Sequence, residues 1–182
     1  MLTKSSIKLI ELFFEKYDFI KIKKVELGRV ELDFNPDKTD IEKIIKLFES
    51  LDFKVIKHPD TILVEQIKIA AFELIYLANN VNSLIRNSEY ISERVQEPYS
   101  KISKIFSAET GTTLEKYLIL LKIERVKELI LQDDFTLSEI AYMMGYSSVQ
   151  YLSNQFKKIT GYTVSQFKEL KNPPRIPLDK IL

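Results

Sequence analysis

The chain matches itself when shifted by 50 residues. Ser88/Ser138, Glu89/Glu139, Ser103/Ser153, Phe106/Phe156, Thr110/Thr160 and Gly111/Gly161 are identical pairs within one short window. Chance agreement at about 6% per position would give one or two. The two segments, Ser88–Gly111 and Ser138–Gly161, each read as a short helix, a turn and a second helix. Each closes on a Gly suited to a left-handed C-terminal cap. A short helix followed closely by a longer one is the layout of a helix-turn-helix, so the repeat predicts two such units in one chain.

In the second copy, Thr136 with Glu139 predicts a capping box, with Leu137, Ile140, Ala141 and Met144 facing inward. Gly145 turns the chain, and Ser147 with Gln150 is a candidate cap for the next helix. That helix would bury Leu152, Phe156 and Ile159 and present Gln150, Tyr151, Asn154, Lys157 and Lys158. Gln150 and Asn154 are four apart and share a face, and both amides can bond adenine N6/N7 bidentately. Two simpler roles stand beside this: Gln150 as a cap, and Val149 as core edge rather than a contact for a thymine methyl. Tyr151 suits either stacking on sugar or covering the surface. Lys157 and Lys158 suit phosphate. In the first copy Pro98 starts the helix, with Ile102, Ile105 and Phe106 internal and Ser100, Lys101, Ser103 and Lys104 outward.

Between the copies, a helix from Leu114 to about Gln132 is started by Thr112 with Glu115. Its length is about 28 Å at 1.5 Å per residue. Two readers meeting successive major grooves on one face of B-DNA sit about 34 Å apart, so a rigid connector of this length allows that geometry.

Charge and composition exclude several other classes. The chain has 182 residues, with 27 Lys and Arg against 26 Asp and Glu. The balance is even along it: 14 basic and 14 acidic residues in 1–87, 13 and 12 in 88–182. Any DNA affinity therefore rests on local patches rather than a basic tail. With no Cys there is no disulfide, thiolate metal site or cysteine nucleophile. His58, the single histidine, sits in a Pro turn without a ligand cluster, and four glycines form no phosphate loop. The longest apolar runs, Leu74–Ala78 and Ile140–Met144, are far short of the ~20 residues of a membrane span. No signal-peptide pattern precedes the first amphipathic segment, so the expectation is a cytoplasmic protein that is not an enzyme and binds no cofactor or metal.

The first third mixes periods. Ser5-Ser6 offers a cap for a helix carrying Ile7, Ile10, Phe13, Phe14 and Tyr17. Residues 20–34 alternate as a hairpin with a phase slip at Lys23-Lys24 that predicts a bulge. Thr39 or Asp40 caps a second helix, and Phe53–Lys57 reads as a further strand. Lys21, Lys23 and Lys24 read as the outer face of a strand. Beyond Thr61 the pattern is helical throughout: Ile62–Asn79, broken at Asn79-Asn80, then 88–95, 98–109, 113–132, 136–144, 147–160 and 164–171. The boundary is placed near Asp60, giving a small α+β domain (1–59), a helical domain (60–172) and an extended tail (173–182).

The run Thr136–Ser148, Phe156–Gly161, Thr163 and Phe167 resembles the AraC/XylS family of bacterial transcription regulators, as do Phe106, Glu109–Gly111, Tyr117 and Lys122–Val126 upstream. The resemblance covers roughly 60–172. It implies a seven-helix module with two recognition helices, and base-facing positions at Ser100, Ser103 and Lys104 and at Val149, Gln150, Tyr151, Ser153 and Asn154. Two departures stand out: Gln96-Glu97-Pro98 replaces the usual glycine turn, with Glu97 repelling phosphate, and Val164 replaces the usual Pro. The front domain, through Val25–Leu32 and Asp52–Val55, resembles a ferredoxin-like module of the heavy-metal-associated type. Its first strand and Cys-x-x-Cys loop are missing, so metal binding does not carry over. The missing strand leaves three expectations: direct pairing of the orphaned strands, a strand from another subunit, or a start upstream of Met1.

The expected fold is mainly α, two helix-turn-helix units joined by a long helix behind a small α+β domain that is regulatory or dimerising. The expected function is a sequence-specific DNA-binding regulator. Its interface would comprise Ser100, Lys101, Ser103, Lys104, Ser147, Ser148, Val149, Gln150, Tyr151, Ser153, Asn154, Lys157 and Lys158. Double-stranded DNA is the expected partner, with RNA polymerase and a second copy as further candidates. The alternative is a protein-interaction adaptor that kept the fold without tight DNA binding.

Overall fold

The computed structural model describes residues 4–77 and 87–181. The chain divides into two compact units, Met1–Ile69 and Ala70–Leu182. The division falls inside the helix Pro59–Phe72, about two and a half turns beyond Asp60, because the apolar run of residues 62–71 continues without a break signal. The break expected at Asn79-Asn80 lies outside the described residues.

The first unit contains α1 (Lys4–Phe14), β1 (Ile20–Glu26), β2 (Arg29–Phe34), α2 (Ile41–Glu49) and most of α3 (Pro59–Phe72). β1 and β2 pair antiparallel from Ile20↔Phe34 to Glu26↔Arg29, with the register slipping between Ile22 and Lys24. The extra residue lets Ile22 and Val25, at odd spacing, share the face that packs on the core. That core is Ile10 and Phe14 of α1, Ile20, and Ile44 and Phe48 of α2. The Phe14 and Phe48 rings meet at 4.7 Å. Each such fully buried side chain contributes about 1.5–3 kcal/mol over an exposed one. Asp40 caps α2, its carboxylate accepting the Lys43 N–H at 2.8 Å. That bond holds the Asp40 carboxyl below its ordinary range.

Two expectations are corrected here. Ser5 and Ser6 lie inside α1, which already runs from Lys4. Residues 53–57 form no strand, and the sheet among the described residues has two strands. The physical reason lies at the end of α2. Asp52 is left-handed (φ 62°) and reverses the chain, and the Phe53 N–H bonds the Phe48 carbonyl at 3.0 Å. Phe53 is thereby pinned to the core, while Val55 and Ile56 are left exposed with no ladder partner. Three apolar residues in five do not make a strand without a neighbour to pair with. Direct pairing of the orphaned strands does not occur, and the ferredoxin-like, heavy-metal-associated expectation has no support.

The second unit continues from α3 through a π-helical turn (Glu73–Leu77) to α4 (Asn87–Val95), α5 (Tyr99–Thr110), α6 (Leu114–Gln132), α7 (Leu137–Met143), α8 (Val149–Thr160) and α9 (Val164–Glu169). The sequence periods predict each of the six helices α4–α9 to within about two residues. The central helix α6 supplies Ile123, Val126, Leu129 and Ile130 to one core with Ile140, Ala141 and Met144 of α7, Leu152 and Phe156 of α8 and Phe167 of α9. Its earlier turns bury Leu114, Tyr117, Leu118 and Leu121, with the Tyr117 ring 5.3 Å from Phe106 of α5. The cap of α6 is Thr113 rather than Thr112, accepting the Lys116 N–H at 3.2 Å.

The repeat has a structural explanation. Thr110 and Thr160 donate their hydroxyls to the Phe106 and Phe156 carbonyls at 2.7 and 2.8 Å. Both accept the backbone N–H two residues on, from Thr112 and Tyr162, and both precede a left-handed Gly. The identical Phe, Thr and Gly therefore form the inner anchor and closure of each second helix, not its outward surface.

The tail is not merely extended. Arg175 donates to Glu124 at 3.2 Å and to Glu128 at 2.5 Å, and the Ile176 N–H reaches the same Glu124 oxygen at 3.1 Å. Glu124 and Lys127, both buried, pair at 2.5 Å. A short 3-10 turn (Leu178–Lys180) follows, and Ile181 is buried.

Candidate nucleic-acid interface

The helix that carries most of the expected site is α8. Its cap is Ser148, not Ser147: the Ser148 hydroxyl accepts the Tyr151 N–H at 3.1 Å. A cap bonds the third residue of its helix, so a start at Val149 selects Tyr151 and leaves Gln150 out of the capping role. Gln150, Tyr151, Asn154, Lys157 and Lys158 are exposed, as are Ser147 and Ser148. Val149 and Ser153 are half-buried, Val149 packing against the core with the fully buried Leu152 and Phe156. Gln150 and Asn154 thus stand one turn apart on the open face, with two lysines in the last turn, where positive charge favours the helix end.

Ile159, expected inside, is 38% exposed. At 3.6 residues per turn the inward stripe through Leu152 and Phe156 next reaches 159–160. Thr160 takes that place because its hydroxyl bonds back to the Phe156 carbonyl.

The second helix of the first helix-turn-helix, α5, differs. Ser100, Lys101 and Lys104 are exposed, whereas Ser103 is half-buried, like its counterpart Ser153, and Ile105 is only half-buried. The turn before α5 is made without glycine, and Gln96 takes the left-handed conformation (φ 60°). Pro98 caps α5 with no side-chain hydrogen bond. Glu97 pairs with Lys101 at 2.6 Å, so a lysine expected on phosphate already has a carboxylate partner. Tyr99 donates its hydroxyl to Glu115 of α6. Burial and that carboxylate push the Tyr99 phenol up to about 12, and the bond draws Glu115 downward.

The turn of the second unit was not singled out from the sequence beyond Gly145. Thr136 and Glu139 form the expected capping box, Thr136 N–H to Glu139 at 2.7 Å and Glu139 N–H to Thr136 at 3.3 Å. At the other end of α7, Lys122 of α6 donates to the Met144 carbonyl at 3.0 Å. Chain periodicity places Lys122 on α6 but says nothing of a carbonyl 22 residues away.

The surface so assembled offers amide, hydroxyl and ammonium groups on open helix faces. Among the described residues no group of three or more His, Asp or Glu side chains is placed to hold a metal ion. No described helix is long and apolar enough to cross a membrane.

Two short-then-long helix pairs on a shared central helix define the class as a double helix-turn-helix protein. Comparison with known proteins agrees: residues 91–170 match the family described as "Helix-turn-helix domain". The match supports the AraC-type part of the expected resemblance. The chain is 32% identical over 108 residues to an uncharacterized HTH-type transcriptional regulator in the cgkA 5′ region of Pseudoalteromonas carrageenovora, covering 57% of this chain and 63% of that protein. It is 29% identical over 73 residues to the xylose operon regulatory protein of Escherichia coli strain K12, covering 40% of this chain and 19% of that protein. The chain therefore spans less than two thirds of either relative. A solved structure, the C-terminal domain of AraT, a response regulator from Geobacillus stearothermophilus, is similar with a TM-score of 0.49 at 23% identity, covering 63% of this chain and 88% of that one. Both relatives are named as regulatory proteins.

Proposed function

We propose that this chain is a cytoplasmic, sequence-specific DNA-binding transcription regulator that inserts α5 and α8 into adjacent major grooves. The observation that carries the reading is the two-sidedness of α8. Leu152 and Phe156 satisfy its buried side, leaving Gln150 and Asn154 open on the other, both with amides able to bond adenine N6/N7. Val149, Tyr151 and Ser153 flank this pair, Ser147 and Ser148 lie at its entrance, and Lys157 and Lys158 meet phosphate. Ser100, Ser103 and Lys104 contribute from α5, with Lys101 once it leaves Glu97. The first unit serves regulation or pairing with a second copy, and RNA polymerase is the downstream partner.

The second reading, a protein-interaction adaptor, is favoured by one observation: Glu97 neutralises Lys101 in a chain of net charge +1. Selection of duplexes from a randomised pool, then titration at low and physiological salt, separates the two. A regulator yields an enriched sequence held far more tightly than random duplex. An adaptor yields no enrichment.

A further inference from the structure

We propose that Lys122 is a positioning residue for DNA recognition, fixing the α7–α8 turn to the central helix so that α8 is presented at one angle. The inference rests on the reading of α8 as the base-reading helix. Lys122 lies on α6, outside both helix-turn-helix units, and its hydrogen bond goes to Met144 rather than to a residue expected to meet DNA bases.

Its geometry is specific. The ammonium donates to the carbonyl of Met144, the residue that ends α7, at 3.0 Å. That carbonyl belongs to the peptide joining Met144 to Gly145, where the chain leaves the helix through a left-handed conformation (φ 68°). A Cβ at Gly145 would stand 3.9 Å from the ammonium, so the lysine lies directly against the turn. The ammonium also lies 5.9 Å from the centroid of the Tyr146 ring. Tyr146 in turn lies 5.9 Å from Tyr151, which sits in the first turn of α8 one position beyond Gln150. A chain of contacts thus runs from α6 through the turn to the start of the recognition helix.

The energetics favour a role in positioning over simple solubility. Burial alone pulls the Lys122 ammonium below the ordinary lysine range. A half-buried cation is retained at some cost, and the group it bonds is a carbonyl at a helix end, which carries partial negative charge. Met144 and Tyr146 also pack on the core that α6 supplies, and the backbone closes the turn with Gly145 N–H to Tyr142 at 3.0 Å and Tyr146 N–H to Ala141 at 2.9 Å. Those bonds set the local shape of the turn. The apolar packing holds the turn near α6 without direction, and the Lys122 bond adds the directional link between them.

The test uses the full chain, a duplex enriched by the wild type from a randomised pool, and poly(dI-dC) as non-specific DNA. Lys122→Met keeps the stem and removes the donor. The expected result is a native helical spectrum and unchanged poly(dI-dC) binding, with the ratio of specific to non-specific affinity reduced about tenfold or more. Lys122→Arg, which restores a donor, recovers most of the ratio. Lys122→Gln, polar but one bond shorter, serves as a second arm should the Met variant not fold, and is expected to lose the ratio likewise. An unchanged ratio in a folded Met or Gln variant overturns the proposal. So does an equal loss on both DNAs with a shallower salt dependence, which makes Lys122 a phosphate contact. Wild-type binding by Asn154→Ala and Gln150→Ala together is a different failure, that of the α8 reading itself.

Discussion

The Glu97 carboxylate lies 2.6 Å from the Lys101 ammonium at the start of α5. Both side chains reach solvent, so the pair contributes at most about 1 kcal/mol to folding. Its effect on binding is larger, since it occupies a cation and adds a charge that phosphate repels. Glu97→Gln is expected to tighten binding to all duplexes and steepen the plot of log affinity against log salt by up to ~0.9. Fluorescence anisotropy over a salt series checks this. Unchanged affinity and slope would show that the start of α5 stays away from phosphate.

On α8 the same distinction between phosphate and base predicts two kinds of loss. Asn154→Ala should cost ~1–3 kcal/mol at one base position and leave folding intact. Lys157→Ala or Lys158→Ala should weaken every sequence alike and lower the salt slope by ~0.9. Binding profiles across a duplex library distinguish them; a lysine variant with altered base preference would mean that the lysine reads sequence.

In the first unit, Gly28 turns the hairpin with φ 75°, and a Cβ there would fall 2.2 Å from Cδ1 of Ile69. Gly28→Ala carries backbone strain and a close contact that the end of the Ile69 side chain can partly relieve, and should lose about 1–3 kcal/mol of stability. Adding Ile69→Ala removes the clash but not the strain. Denaturant titration of the two single variants and the double should therefore give a favourable coupling energy, and simple additivity would count against the close approach.

The tail and α6 are joined through Arg175, which bonds both Glu124 and Glu128. Arg175→Met leaves buried Glu124 with Lys127 and the Ile176 N–H but removes a charged donor. A loss of about 1–3 kcal/mol in urea unfolding is expected, moderated because Arg175 is partly in solvent. No change would mean that the Ile176 N–H and buried Ile181 hold the tail without Arg175.

Acid should act partly through the capping box. The Thr136 N–H holds the Glu139 carboxyl below its ordinary value. A carboxylate with a depressed folded value supports the fold above its unfolded value and loses that support as pH falls through the folded one. Glu139→Gln should therefore flatten the acid limb of the stability profile while changing little near neutrality. An acid limb parallel to that of the wild type would contradict this.

The helices of the second unit were legible because their signals are local. A Thr three residues before a Glu, an apolar stripe at 3.6 spacing and a Gly after the last turn act within one or two turns of chain. So was the hairpin bulge, where Lys23 shifts the phase of alternation. Capping residues came out one position off at Thr113 and Ser148, because neighbouring Thr112 and Ser147 have the same chemistry and only the helix start selects between them. Phe53–Lys57 differs for another reason: a short apolar run ended by a Pro turn resembles a strand, and a strand needs a partner that the first unit does not supply.

The amino-acid order by itself determined the duplication, the six helices α4–α9 and the outward chemistry of α8, since each depends on residues a few positions apart. Only the tertiary structure decided that Lys122 reaches Met144, that Arg175 reaches Glu124 and that residues 53–57 go unpaired. Those outcomes join groups 22 and 51 residues apart, or turn on a missing neighbour. Periodicity places a side chain on a face. Which group meets it there depends on how separate elements pack, and that is settled only when the chain closes on itself.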